Sequence, residues 1–441
     1  MAAQATTIEL REEELAPRWS GTKRFAFRFC FLYFSLYCFY TQISVALISI
    51  PNMELGDPSA YWPMRQIVFW LGAHLFRAKL PLVYSGSGSG DKTFDWVMNF
   101  FLLVLSAVAA AVWSAIDRRR LNYVTLHKWF RLFLRFALAS QMFGYGLDKV
   151  IPLQMPFPFL TRLVEPFGNF SPMGVLWQSV GASKAFEIYA GSAETMAGIF
   201  LIFPRTTMLG ALIAMADMVH VFMLNMTYDV PVKLFSFNLI LMSLFLIAPD
   251  MERLCNFLLR DRAVAPSAHP TLFRSRRANR IAFALQVLFG LWMIGSSIYG
   301  GVSAWHTYGG GRVKSALYGI WNIEELSVDG QVRSPLVTDY DRFRRAIFEF
   351  PERMSFQRMD DTMYSLAAAI DTTNKTLVLT KTTDKNWKSQ FSFDRPATDQ
   401  LILDGEMDNH KMRMQLHLLN RNKFLLVNRG FHWVQEYPFN R

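Results

Sequence analysis

The chain has 441 residues, 52% hydrophobic and 15% aromatic, with 39 Phe and only 18% charged, a balance that excludes an ordinary soluble globular protein. Its net charge of +11 raises a nucleic-acid reading, but residues 301–441 carry 19 Lys and Arg against 17 Asp and Glu. The basic excess therefore lies in the apolar part of the chain, where membrane orientation explains it and nucleic-acid binding is not needed.

Residues 1–20 are polar and the first apolar run is too long for a cleaved secretory signal. A membrane span needs about 20 apolar residues. Seven segments meet or approach that length: 24–50, 94–116, 129–147, 185–203, 208–224, 234–248 and 281–300. The sixth is short and borrows residues from the interface. "WPMRQIVFWLGAHLF", between the first two, is too short to cross and reads as an interfacial or re-entrant helix. "SGSGSGDKT" after it is a loop, with Asp91 or Thr93 placed to cap the second span.

Lys and Arg set the orientation. With the N-terminus inside, residues 1–28, 117–131, Arg205 and 249–280 face the cytoplasm with 5, 5, 1 and 7 basic residues. The loops 51–93, 149–184 and 225–233 face outward with 4, 3 and 1. Eighteen against eight is a clear asymmetry, and an odd number of spans places the C-terminal part outside. Six segments follow: a cytoplasmic tail (1–23), two transmembrane helices with an outer loop and interfacial helix (24–128), a four-helix membrane bundle (129–250), a basic cytoplasmic loop (251–280), a last span (281–300) and an extracytoplasmic β domain (301–441).

Cys30, Cys38 and Cys255 all lie in the membrane or on the cytoplasmic side, so a disulfide framework is not expected, and there is no Cys-x-x-Cys. The β domain shows period-two runs such as "KTLVLTK" and "MRMQLHLL", separated by turns at "DTTNKT", "TTDKN" and "DGEMDNH". That is the pattern of an antiparallel meander, a small barrel or sandwich. "FHWVQEYPF" also alternates and reads as a last strand with an aromatic seal. Gly319-Ile-Trp321 resembles the Gly-x-Trp of lipocalin-type barrels, and the resemblance implies that Arg429 covers Trp321.

"GYGLDKVIPLQM", "SPMGVLW", "GSAETMAGIFLIFPRTTMLG" and "NMTYDVPVKLFS" resemble the DoxX family of bacterial membrane proteins. The resemblance implies a four-helix membrane core in spans three to six, placed in the bacterial cytoplasmic membrane. It also implies a link to membrane redox chemistry, with a quinone as the cofactor or reaction partner and a redox or membrane-complex protein as the partner. No flavin, nucleotide or metal motif accompanies it: "GSGSG" is a loop, and His74, His306, His410, His417 and His432 lack the spacing of a metal site.

Charged residues inside this core carry the candidate chemistry. Arg135, Tyr145 and Lys149 lie on the third span, Glu187 and Glu194 seven apart on the fourth, and Asp217 and His220 three apart on the fifth. Asp229 and Lys233 flank "YDVPVK" in the outer loop. A charge facing lipid costs about 2.5–3.5 kcal/mol, so these side chains are expected to face the bundle interior. One reading makes them structural pairs: Arg135 with Glu194 or Asp217, and Lys149 or Lys233 with Asp229. The other is an outward-opening polar pocket in which His220, Glu194 and Asp217 exchange protons and Arg135, Tyr145, Lys149, Glu187, Asp229 and Lys233 hold a ligand. Three functions remain open at this point: a quinone-linked redox subunit, a non-catalytic subunit of a membrane complex, and a membrane enzyme with the architecture of vitamin K-dependent carboxylases.

Overall fold

The computed structural model describes residues 18–48, 50, 53, 55–266, 271–384 and 386–440. Most of the predicted cytoplasmic tail and part of the basic loop at 267–270 lie outside the described residues. The chain divides into two compact units. One is Met1–Ile151 with Ile188–Val302, and the other is Pro152–Glu187 with Ser303–Arg441.

The first unit is helical. Its N-terminal helices are α1 (Gly21–Tyr40), α2 (Gln42–Leu47), α3 (Met64–His74), α4 (Thr93–Ile116) and α5 (Val124–Val150). Among the described residues, four helices are long and apolar enough to cross a membrane: Thr93–Ile116, Thr207–Thr227, the run Lys233–Leu258 and Arg276–Thr307. This is the build of a membrane protein. Two other long helices, α1 and α5, are studded with Arg and Lys, including Arg24, Arg28, Arg131, Arg135 and Lys149.

The first predicted span is not one helix. It breaks at Thr41, which adopts an extended backbone (φ −112°, ψ 174°) while its hydroxyl donates to the Tyr37 carbonyl at 2.7 Å. α3 has 11 residues, about 16 Å at 1.5 Å per residue, which is too short to cross. Asp91 does not cap α4. Its two oxygens accept the backbone N–H groups of Lys233 and Leu234 at 2.8 and 2.9 Å, and so cap a helix 142 residues further on. The cap of α4 comes from Asp95, which accepts the Lys92 N–H at 3.1 Å.

The second unit combines a short helical segment, α6 (Leu160–Val164) and α7 (Pro172–Gly181), with a barrel. The strands are β1 (Gly319–Val328), β2 (Gln331–Val332), β3 (Phe343–Phe350), β4 (Arg353–Arg358), β5 (Met363–Asp371), β6 (Thr376–Thr380), β7 (Lys388–Ala397), β8 (Gln400–Met407) and β9 (His410–Leu418). Each pairs antiparallel with the next, apart from the short β2, which pairs only with β1. β9 returns to β1 from Val328↔Met412 to Trp321↔Leu418, so eight strands close. Closure satisfies both edges. Inward positions such as Trp321, Leu326, Phe348, Phe356, Leu379 and Leu403 form its core. On the outer face, Leu160 of α6 packs with Ile320 and Ile347, and its N–H donates to Glu349 at 3.0 Å.

The turn expected at "DGEMDNH" is there, at Asp408–Asn409, both with positive φ, as a two-residue hairpin requires, with Asp404–Met407 before it in β8. Two expectations for this unit change. "FHWVQEYPF" forms no strand, and β9 instead pairs with β1 to close the barrel. Arg429 does not cover Trp321; it contacts His432, Gln435 and Phe439. The guanidinium over Trp321 belongs to Arg395, 5.5 Å from the ring centre.

Candidate functional site

The polar side chains of the helical unit gather where α5 meets α8 (Lys184–Ile202) and α9 (Thr207–Thr227). Glycines set that approach. A Cβ on Gly191 of α8 would stand 2.4 Å from the Gly146 carbonyl and 2.6 Å from the Lys149 Cβ on α5. A Cβ on Gly210 of α9 would stand 2.8 Å from the Leu201 nitrogen. Small residues let helices in a membrane bring their backbones together, and here they bring Lys149 within reach of the next helix.

Lys149 Nζ lies 2.6 and 2.7 Å from the two oxygens of Glu194. The lysine is 8% exposed and the glutamate 1%. The carboxyl of Asp217 faces that of Glu194. Its Oδ2 is buried and no donor reaches it. Two carboxyls against one ammonium carry a net charge of −1 when both are ionised. One proton held between them makes the cluster neutral and supplies the donor that Asp217 lacks.

A row of neutral polar groups runs along the same helix. Gln42, placed by the break at Thr41, donates to Gln141 Oε1 at 3.0 Å and to the Tyr145 hydroxyl at 2.9 Å. The Lys149 ammonium lies 6.0 Å from the Tyr145 ring centre.

The other predicted residues sit elsewhere. Arg135 pairs with neither Glu194 nor Asp217. It donates to the Leu201 and Ile202 carbonyls at 3.0 and 2.5 Å and to Gln286 at 3.3 Å, a cation on the C-terminal end of α8. Glu187 is buried in the second unit and accepts the Met155 N–H at 2.9 Å. His220 is exposed on α9 and is not brought to the cluster. Of the two cations expected to pair with Asp229, Lys233 does so, at 2.9 Å, and lies 3.8 Å from Asp91. Gln42 was not singled out from the sequence, and Asp91 was expected to cap α4; the partners of each lie about a hundred residues or more away. Among the described residues no group of three His, Cys, Asp or Glu side chains is set to hold a metal ion.

Over 124 residues, 28% of its length, the chain is 34% identical to a Bacillus subtilis (strain 168) protein described as "Uncharacterized protein YwoB", and the match takes in 76% of that protein. The chain belongs to the YwoB family. No family model matches it, and no solved structure does. The YwoB description names no activity, so the chemistry rests on the residues themselves.

Proposed function

We propose that this is a DoxX-like integral protein of the bacterial cytoplasmic membrane whose helical unit exchanges a proton at Lys149, Glu194 and Asp217 together with a lipophilic redox molecule of the quinone class. One observation carries the reading: the buried Glu194 carboxylate holds the Lys149 ammonium beside the half-buried Asp217, one oxygen of which is buried and reached by no donor. Ionisable groups at membrane depth are costly, and paired ones mark ion pathways and proton relays. In this reading seven spans run with the N-terminus inside, α5, α8, α9 and the helix from Lys233 form the core, and a lipocalin-like barrel stands outside. The 18-to-8 distribution of basic residues supports that orientation. An apolar cavity of about 810 Å³ beside α5, walled by Trp129, Phe133, Phe136, Phe273 and Phe289, has room for a quinone ring. Gln286 on its wall takes a hydrogen bond from Arg135. Electrons would come from a partner protein.

The test is purification in mild detergent, lipid extraction, and infrared difference spectra on quinone reduction. A co-purifying quinone is expected, with a carboxylic-acid band that disappears in Asp217→Asn. Extracts free of quinone, with unchanged membrane redox flux in Glu194→Gln and Asp217→Asn, refute the proposal.

A second reading, a non-catalytic membrane-complex subunit, is favoured by the close Lys149–Glu194 contact and by Arg135 capping α8. It predicts that the charge-swapped pair Lys149→Glu with Glu194→Lys assembles and works as well as the parent.

A further inference from the structure

We propose that the mouth of the β-barrel binds a compact oxyanion carried on a flat apolar body, at a site independent of the proton chemistry proposed for the helices. A cavity of about 660 Å³ opens at the end of the barrel where β1, β4 and β8 finish and β3, β5 and β9 start. That volume suits a small molecule. The opposite end is closed by Trp321, which is fully buried, donates to the Leu317 carbonyl at 2.9 Å and lies under Arg395. Between the two ends, Phe348, Phe356, Leu379, Phe391, Leu403 and Met414 are all fully buried. An eight-stranded barrel is just wide enough for its own side chains. An occupant therefore rests on a filled core and does not thread into it, which selects a short rigid molecule over a long acyl chain.

The floor of the mouth is aromatic. Phe343 stacks on Phe356 with ring centres 4.3 Å apart, and lies within 7° of parallel to Tyr364 at 6.4 Å. A flat ring extends that stack. The Arg358 guanidinium stands over Tyr364, 5.4 Å from the ring centre, and its Nε is buried without a hydrogen-bond partner.

The other charges at the mouth are committed. Arg333 holds Asp339 at 2.5 and 2.6 Å and is 3.9 Å from Asp341. Lys381 is 3.9 Å from Asp408, and His410 is 2.7 Å from Asp329. Among the described residues Arg358 has no ion pair. A buried donor left unmet is costly, and a carboxylate or phosphate oxygen meets it with a charge-assisted bond to a planar fork.

The full-length protein in lipid nanodiscs, titrated calorimetrically with naphthoate or naphthyl phosphate against empty nanodiscs, tests this. At least one probe is expected to bind, and naphthamide, the same ring without the charge, about tenfold or more weakly. Arg358→Gln weakens the charged probe about tenfold or more, and Arg358→Lys recovers part of the loss. Val328→Trp fills the mouth without removing a charge and abolishes binding, whereas Arg395→Gln at the far end leaves it unchanged. Circular dichroism checks that each variant keeps its strand signal. Naphthamide binding as tightly as the charged probes, binding that survives both Arg358→Gln and Val328→Trp, or no binding of either anion overturns the proposal.

Discussion

Replacing Lys149 with Met removes the ammonium from the bundle and keeps nearly the same length and apolar bulk. The ammonium lies 2.6 and 2.7 Å from Glu194, in a pair whose members are 8% and 1% exposed. Deleting one partner of so buried a pair leaves the other charge uncompensated, at about 3–5 kcal/mol. Proton uptake by Glu194 relieves part of that, so Lys149→Met is expected to cost about 3 kcal/mol. Replacing both partners with apolar groups, Lys149→Met with Glu194→Leu, removes the buried charges together and is expected to lie near the parent. With Glu194→Leu alone no better than the parent, the coupling between the two sites is then about 3 kcal/mol or more. Unfolding in bicelles by SDS titration, followed by helical circular dichroism, measures Lys149→Met, Glu194→Leu and the double variant. If Lys149→Met lies within about 1 kcal/mol of the parent, or the two changes add, the pair is not the buried ion pair described here. The same double variant separates stability from function, since a proton site is lost even where the fold is kept.

Two further predictions concern packing and pH. Gly191→Ala places a methyl 2.4 Å from the Gly146 carbonyl and is expected to cost about 1–3 kcal/mol by forcing α5 and α8 apart, read by thermal unfolding in the same bicelles; a neutral result refutes the close crossing. Burial lifts the Glu349 carboxyl from near 4.5 to about 7, so the folded protein binds this proton more tightly than the unfolded chain does. The stabilisation is therefore complete below about pH 4.5 and lost as pH rises to about 7, a change of about 3 kcal/mol at most. Hydrogen exchange at Leu160–Val164 is expected to show more frequent opening at higher pH, and Glu349→Gln, which keeps an acceptor for the Leu160 N–H, to remove that dependence; an unchanged slope in the variant refutes it.

Local patterns were legible because they repeat over a few residues. Apolar runs located the helices to within a few positions, as in Lys184–Ile202 for 185–203 and Thr207–Thr227 for 208–224. Period-two alternation located strands such as Thr376–Thr380 and His410–Leu418. The same alternation failed at "FHWVQEYPF", where the pattern is strand-like but the eight strands close through β9 and β1 without it. The Lys233–Asp229 pair was legible because only a short loop separates the two, although Asp229 lies outside either helix with φ 54°.

The partners of the buried charges were not legible. Lys149 meets Glu194 and Arg135 does not, although both cations lie on one helix and either assignment satisfies the spacing. The choice follows from how closely Gly146 and Gly191 let two helices cross, and so from which turn of α8 faces which turn of α5. Asp91 caps a helix 142 residues away, and Arg395, not Arg429, covers Trp321 once the barrel closes. Composition and periodicity are properties of neighbouring residues, so the sequence by itself determined that there would be apolar helices and a strand-rich C-terminal region. Which charge meets which depends on rotation and approach between elements distant along the chain, and only the tertiary structure decides that.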